Sequence, residues 1–267
     1  MLKRFQTTGY FLAFFALCGF FGWKVIVASK PPLDGAEYQK RLNITAANIP
    51  VPGAADTPDD SLRIYAVNVV HTPPFQGPFI AYGIYLGEGA VLTAAHVVGR
   101  WPLFSNPRVL IAGQDLPATV IKEGSPDQTD LALLSVDQER LPVSLRLRRN
   151  PICKEPLQVG LDVIVVYPER TTRSQIISPL LIAPQYRMQY GTLINEAEGS
   201  GSGVFLAERK CLLGIISKEF EKYPYQRNGQ IIIQASGFAG YFVPAFNFVP
   251  AFNFVPAFNF VQPSFRF

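Results

Sequence analysis

Two histidines are the whole supply of imidazole in this 267-residue chain, so the search for a general base is short. His71 stands in Val69-Val70-His71-Thr72-Pro73-Pro74, where a strand runs into a turn, and reads as a surface or strand-end residue. His96 follows Val91-Leu92-Thr93-Ala94-Ala95: an apolar strand leads into two small residues that let a substrate approach the ring. Thirty-four residues on (130 − 96), Asp130 directly precedes the apolar run Leu131-Ala132-Leu133-Leu134, which would draw its carboxylate toward a core. A buried carboxylate needs a partner, and an imidazole N–H is a suitable one. Seventy residues further (200 − 130) lies Glu198-Gly199-Ser200-Gly201-Ser202-Gly203. Glycines around a serine permit a sharp turn on which backbone N–H groups converge. A base, a carboxylate behind it, a hydroxyl nucleophile and converging donors are what acyl transfer requires.

Taken together, Thr93-Ala94-Ala95-His96, Asp130-Leu131-Ala132-Leu133-Leu134 and Gly199-Ser200-Gly201-Ser202-Gly203-Val204-Phe205 occur in the order His, Asp, Ser. The combination resembles the three catalytic motifs of trypsin/chymotrypsin-like serine proteases of the compact bacterial type. Leu213-Gly214-Ile215-Ile216-Ser217 is similar to the family strand that lines the cleft and pairs with substrate backbone. The resemblance covers roughly residues 62–242. It implies that His96 acts as general base and then acid, that Asp130 holds the His96 tautomer, and that Ser200 attacks the scissile carbonyl. Ser200 is preferred to Ser202 because Gly203-Val204-Phe205 then begins the family's outgoing strand. The implied oxyanion donors are the backbone N–H groups of Glu198 and Ser200, and the implied substrate-binding strand carries Ser217, Lys218 and Glu219.

Two departures from the family matter. Glu198 stands where the family has glycine, which puts the oxyanion hole in question. Gly199 replaces the Asp or Asn usual before the nucleophile, which speaks against activation by a newly cut N-terminus. The expected function is therefore a serine endopeptidase acting on polypeptides, with no metal and no organic cofactor. The rival, motivated by Glu198, is a catalytically inactive relative that binds peptides or partner proteins. A third alternative is a structural β-domain with incidental motifs.

The elements that must position these residues are short. Leu62–Val70, Phe79–Leu86, Ala90–Thr93, Val109–Ala112, Ala118–Glu123, Leu131–Val136, Leu161–Tyr167, Gly203–Ala207, Leu212–Lys218 and Ile231–Ala235 read as strands punctuated by Gly, Pro and Asn. Few stretches carry a helical period, which excludes a doubly wound α/β fold and predicts an all-β barrel or sandwich. The resemblance makes this two six-stranded antiparallel β-barrels, over residues 62–145 and 146–242. Thr171-Thr172-Arg173-Ser174 reads as a loop near the specificity pocket or as a solvated turn. Arg146, Arg148, Arg149 and Lys154 read as an exposed connection between the barrels. Of three cysteines, Cys18 lies in an apolar segment; Cys153 and Cys211 form either a disulfide or a pair of buried thiols.

Both chain ends differ from this body: of 21 Phe, six lie in residues 5–21 and nine in residues 242–267. Lys3 and Arg4 precede an apolar stretch from Gly9 to Ala28, interrupted only by Lys24; its 20 residues would span about 30 Å as a helix. Residues 1–28 are thus expected to be an uncleaved signal anchor, with a cleaved signal peptide as the alternative. The positive head predicts an N-terminal transmembrane helix in the cell inner membrane, with the catalytic domain periplasmic or otherwise extracytoplasmic. Residues 29–61, with Pro31, Pro32, Pro50, Pro52 and Pro58, read as a linker. Residues 243–267 form a tail in which Val243-Pro244-Ala245-Phe246-Asn247-Phe248 recurs at 249–254 and 255–260. Proline every sixth residue forbids a continuous α-helix, and one copy is expected to pack on the second barrel, with an aromatic patch that docks on a membrane or another chain as the alternative. A net charge of +4 from 24 basic and 20 acidic residues, with no dense basic run, gives no argument for nucleic acid.

Overall fold

The computed structural model describes residues 34–47, 59–72, 77–98, 107–124, 129–154, 156–177, 193–195, 199–221, 225–227, 230–232 and 238–248. Strands β1 (Ala66–His71), β2 (Phe79–Gly87), β3 (Ala90–Thr93), β4 (Arg108–Ile111), β5 (Gln114–Glu123) and β6 (Ala132–Val136) close into an antiparallel barrel in the order β1-β2-β3-β6-β5-β4. The second half carries β7 (Asp162–Val166), β8 (Thr171–Ile177), β9 (Leu193–Asn195), β10 (Gly203–Leu206), β11 (Leu212–Glu221), β12 (Tyr225–Arg227), β13 (Gln230–Ile232) and β14 (Phe238–Pro244). Six of these close into the other barrel in the order β10-β11-β14-β9-β8-β7, while β12 and β13 pair apart from it. The all-β, two-barrel expectation therefore agrees with the structure. Closure removes the unpaired edges that a sheet would otherwise leave exposed.

Buried strands fill the barrels: β1 and β3 are buried along their whole length, and β7 from its second residue on. Val67, Val91, Leu92 and Leu133 pack in one core, and Val163, Val165, Val204 and Ile216 in the other. A disulfide joins Cys153, in the connection between the barrels, to Cys211, the residue before β11. Across the same junction Ile152 bridges to Leu212.

Four local features differ from the sequence reading. Asp60–Tyr65 is a 3-10 turn rather than the start of a strand; Leu62 and Ile64 are buried two residues apart, imitating a strand period, but Leu62 N–H bonds to Asp59 O at 3.1 Å. Thr171–Ser174 belongs to strand β8, where Val163 pairs with Ser174 and Val165 with Thr172. Its polar side chains hide the strand, because backbone pairing with β7 and β9 inside the second barrel recruits it rather than an apolar face. Within the expected linker, Gly35–Ala47 forms helix α1. Asp34 caps it by accepting from Glu37 N–H at 2.7 Å, a Ser/Thr/Asp-x-x-Glu start signal legible in the sequence. The docking face of α1 is polar, with Tyr38 bonded to Asp115 and the Thr45 hydroxyl accepting from Gly113 N–H, so no apolar period announces it. The fourth is His71, which is at a strand end but is 3% exposed, with its ring edge-on to Phe79.

The first copy of the C-terminal repeat is part of the fold. Val243 and Pro244 end β14, pairing with Ile215 and Gly214, and a 3-10 turn follows over Ala245–Asn247. Ala245 and Phe248 are buried with the core that includes Val67 and Val91, and the Lys122 ammonium lies 4.4 Å from the Phe248 ring centroid. The seat of this copy thus reaches the first barrel as well as the second. Residues 249–267, the N-terminal apolar stretch and residues 29–33 lie outside the described residues. Among the described residues no helix is long and apolar enough to cross a membrane.

Candidate active site

Strand β3 delivers His96. Thr93 ends the strand, Ala94 and Ala95 follow with no exposed surface, and the single turn α2 (Ala95–Val98) begins, its Val97 N–H bonded to Ala94 O. Both alanines are small and buried at the corner that presents the ring. Asp130 enters from the segment leading into β6, which pairs with β3 through Ala132 and Thr93. Sheet register therefore sets the imidazole beside the carboxylate. His96 Nδ1 lies 2.6 Å from Asp130 Oδ2, and His96 backbone N–H donates to Oδ1 at 2.9 Å. The Asp130 side chain is wholly buried, whereas that of His96 is 37% exposed.

The second barrel supplies the remaining polar groups. Ser217, on β11, has no exposed surface and donates its hydroxyl to Asp130 Oδ2. Its carbonyl oxygen accepts from Ser200 Oγ at 3.2 Å. Residue 217 thus touches the carboxylate through its side chain and the serine through its backbone. Burial alone pushes the Asp130 carboxyl up; the hydrogen bond and charge of His96, with the Ser217 hydroxyl and the His96 N–H, outweigh it and hold the group below its ordinary value. The ionised form is favoured, and because a carboxylate only accepts, His96 Nδ1 is the nitrogen that donates to it. His96 Nε2 and the Ser200 N–H have no hydrogen-bond partner among the described residues, and no bond joins Ser200 Oγ to His96 there.

Ser200 sits at the head of a turn that only glycine builds. Gly199 and Gly201 have φ of +82° and +92°. A Cβ on Gly199 would lie 2.3 Å from Tyr82 Cε2, and one on Gly201 would lie 1.8 Å from Tyr82 O. The turn is laced to both barrels: Tyr82 N–H donates to Ser200 O at 3.0 Å, and Gly201 N–H to Ile216 O at 2.8 Å. Ser202 is different. It is fully buried and donates its hydroxyl to Gly199 O at 2.8 Å, so it braces the turn.

Of the expected site residues, His96, Asp130, Ser200 and Ser217 are brought together. Lys218 and Glu219 continue β11, paired with Tyr241 and Gly240 of β14. Glu198 lies outside the described residues, and with it half of the expected oxyanion hole. Tyr82 was given no role by the sequence, where it is one aromatic in a strand; only the pairing across the barrels reveals its contact with the serine turn. Among the described residues no group of three or more His, Cys, Asp or Glu is placed to hold a metal ion.

No family model matches the chain, and no curated protein matches it. Among solved structures it is similar to the active form of the Rv3671c protease from M. tuberculosis, at 19% identity over 76% of this chain and 92% of that one, with a TM-score of 0.48. It is also similar to kallikrein-related peptidase 10 (17%, 71% and 93%, TM-score 0.47) and to the serine endoprotease from Yersinia pestis (21%, 73% and 65%, TM-score 0.46). These neighbours are trypsin/chymotrypsin-like serine proteases. It is the arrangement of His96, Asp130, Ser217 and Ser200, not these likenesses, that bears on function.

Proposed function

We propose that this chain is a serine endopeptidase that cleaves peptide bonds through an acyl-enzyme at Ser200. The observation that carries the reading is the chain of contacts from His96 Nδ1 to Asp130, from Asp130 to the Ser217 hydroxyl, and from the Ser217 carbonyl to Ser200 Oγ. In the reaction the Ser200 hydroxyl leaves Ser217 O and hydrogen-bonds to His96 Nε2. His96 takes the hydroxyl proton as Oγ bonds to the scissile carbon, then gives it to the leaving amine. Asp130, kept ionised, stabilises the imidazolium formed between those steps. The N–H groups of Ser200 and Glu198 are the proposed donors to the oxyanion. Water then attacks the ester, with His96 again as base, and frees the acid product.

The export reading belongs to the same proposal. The basic head and apolar stretch of residues 1–28 are read as a single inner-membrane anchor, with a secreted form after cleavage as the alternative, and the catalytic domain is held in the periplasm or an equivalent space. A Cys153–Cys211 disulfide is in keeping with an oxidising compartment.

A second reading, an inactive protease-like domain that binds peptides or partner proteins, is favoured by the Ser200 hydroxyl resting on Ser217 O and by Glu198 in place of glycine. A fluorophosphonate probe separates the two. Labelling that is lost in Ser200→Ala and kept in Ser202→Ala supports the enzyme; folded wild-type protein that takes no label refutes it in favour of the binder.

A further inference from the structure

Three separate parts of the chain meet at one tyrosine beside the serine turn. Arg41, on α1, donates from Nη1 to the Tyr82 hydroxyl at 3.1 Å. That hydroxyl donates to Glu169 Oε1 at 2.8 Å, and Glu169 lies in the turn between β7 and β8. The Arg41 guanidinium also stands 3.7 Å from Glu169 Oε1 and 5.7 Å from the centre of the Tyr82 ring. Glu37, one helical turn back on α1, holds Arg41 Nε at 2.6 Å and so orients the guanidinium. The node therefore ties α1 to the first barrel through Tyr82 and to the second through Glu169.

The other end of Tyr82 touches the nucleophile. Its ring fills the space beside Gly199, its N–H donates to Ser200 O, and its carbonyl accepts from the Thr93 hydroxyl at 2.6 Å. Thr93 in turn begins the corner that presents His96. One residue thus borders the Ser200 turn and the His96 corner while its hydroxyl is held from outside by Arg41 and Glu169. Glu169 Oε2 is buried with no partner among the described residues, so its carboxylate depends on this node. Burial pushes the Tyr82 hydroxyl up, which keeps it protonated and able to donate to Glu169.

We propose that the Arg41–Tyr82–Glu169 node is a positioning device for the serine turn, through which α1 sets the rate of attack by Ser200. This rests on the serine-hydrolase reading above. Tyr82 is a positioning residue: it touches the backbone of the turn and no reacting atom. Without its hydroxyl bonds, the ring loses its outer restraint and the turn samples placements in which Oγ is off line, an error that costs rate steeply.

The test uses the full chain and four near-isosteric variants: Tyr82→Phe, Arg41→Met, their combination, and Glu169→Gln. Fluorophosphonate labelling at Ser200 is timed well below each melting temperature, and kcat and KM are measured on a peptide substrate. Tyr82→Phe and Arg41→Met are each expected to slow labelling and kcat about tenfold, with KM little changed. The double variant is expected to be no slower than the slower single one, because both remove the same restraint. The pH midpoint of labelling is expected to stay in place, since His96 and Asp130 keep their partners. Glu169→Gln, which keeps the shape of the node and loses its charge, is expected to fall between wild type and Tyr82→Phe. Folded variants that label at the wild-type rate overturn this inference alone. Folded wild-type protein that takes no label overturns the hydrolase reading and this inference with it.

Discussion

Gly201→Ala is the substitution for which the structure gives the sharpest expectation. At φ +92° an L-residue is strained, at a cost of about 1–2 kcal/mol. Its Cβ would also lie 1.8 Å from Tyr82 O, when real Cβ atoms essentially never come within 3.0 Å, so turn and strand β2 must part by about 1.2 Å (3.0 − 1.8). That movement strikes the Tyr82–Ser200 backbone bond and the seat of Ser200 together. Gly160→Ala isolates the first effect: Gly160 has a φ of +90° and nothing within 4 Å of its added Cβ. Gly160→Ala should lower Tm by about 2–8 °C, from 1–2 kcal/mol at about 2–4 °C per kcal/mol for a domain of this size, and leave labelling unchanged. Gly201→Ala should lower Tm further and slow Ser200 labelling about 100-fold, the usual penalty for a misplacement near 1 Å. The assay is paired: differential scanning calorimetry and probe kinetics on the same samples. Equal losses of Tm in the two variants, with Gly201→Ala labelling at the wild-type rate, would refute the claim that the Tyr82 contact positions the turn.

Ser217→Ala removes a hydrogen bond to a buried carboxylate, which should cost about 1.5–3 kcal/mol and slow labelling. Asp130 has a lowered folded pKa, so its contribution is present above the unfolded value and is lost as pH falls through the folded one; without Ser217 the acid-unfolding edge should move to higher pH, read by circular dichroism. His71 is pushed down by burial from its ordinary value of 6.5, so the unfolded chain binds more protons just below that pH. Stability should therefore fall as pH drops below about 6.5, by up to about 1.4 kcal/mol per unit, and His71→Leu should remove that slope in denaturant titrations. Phe248→Ala empties a buried aromatic seat and should cost about 3–5 kcal/mol, whereas Phe246→Ala, at a residue 42% exposed, should stay within about 0.5 kcal/mol by urea unfolding.

Much of this site was legible before any coordinates. Ala94-Ala95-His96 announces a ring at a tight corner, Asp130 before four apolar residues announces a carboxylate that must find a partner, and alternating glycines announce the turn at Ser200. Strands with apolar runs, such as β3 and β7, were equally plain. Elements held by polar contacts were not. β8 is polar along most of its length, α1 docks through Tyr38, Arg41 and Thr45, and β9 is a three-residue segment whose partners are distant in the chain. That one repeat copy packs on the second barrel was expected, but that it does so as the end of a strand, with Val243 and Pro244 paired to β11, was not.

The amino-acid order by itself determined which side chains could do chemistry and which stretches must be strands, because residue type, local turn geometry and apolar run length act over a few neighbours. Tertiary structure alone decided that the Ser217 hydroxyl meets Asp130 across 87 residues of chain, that the buried Ser202 hydroxyl donates to Gly199 O, and that Tyr82 backs the serine turn. Those outcomes depend on how two closed sheets register against each other, and closure couples residues through backbone pairing that no local pattern encodes.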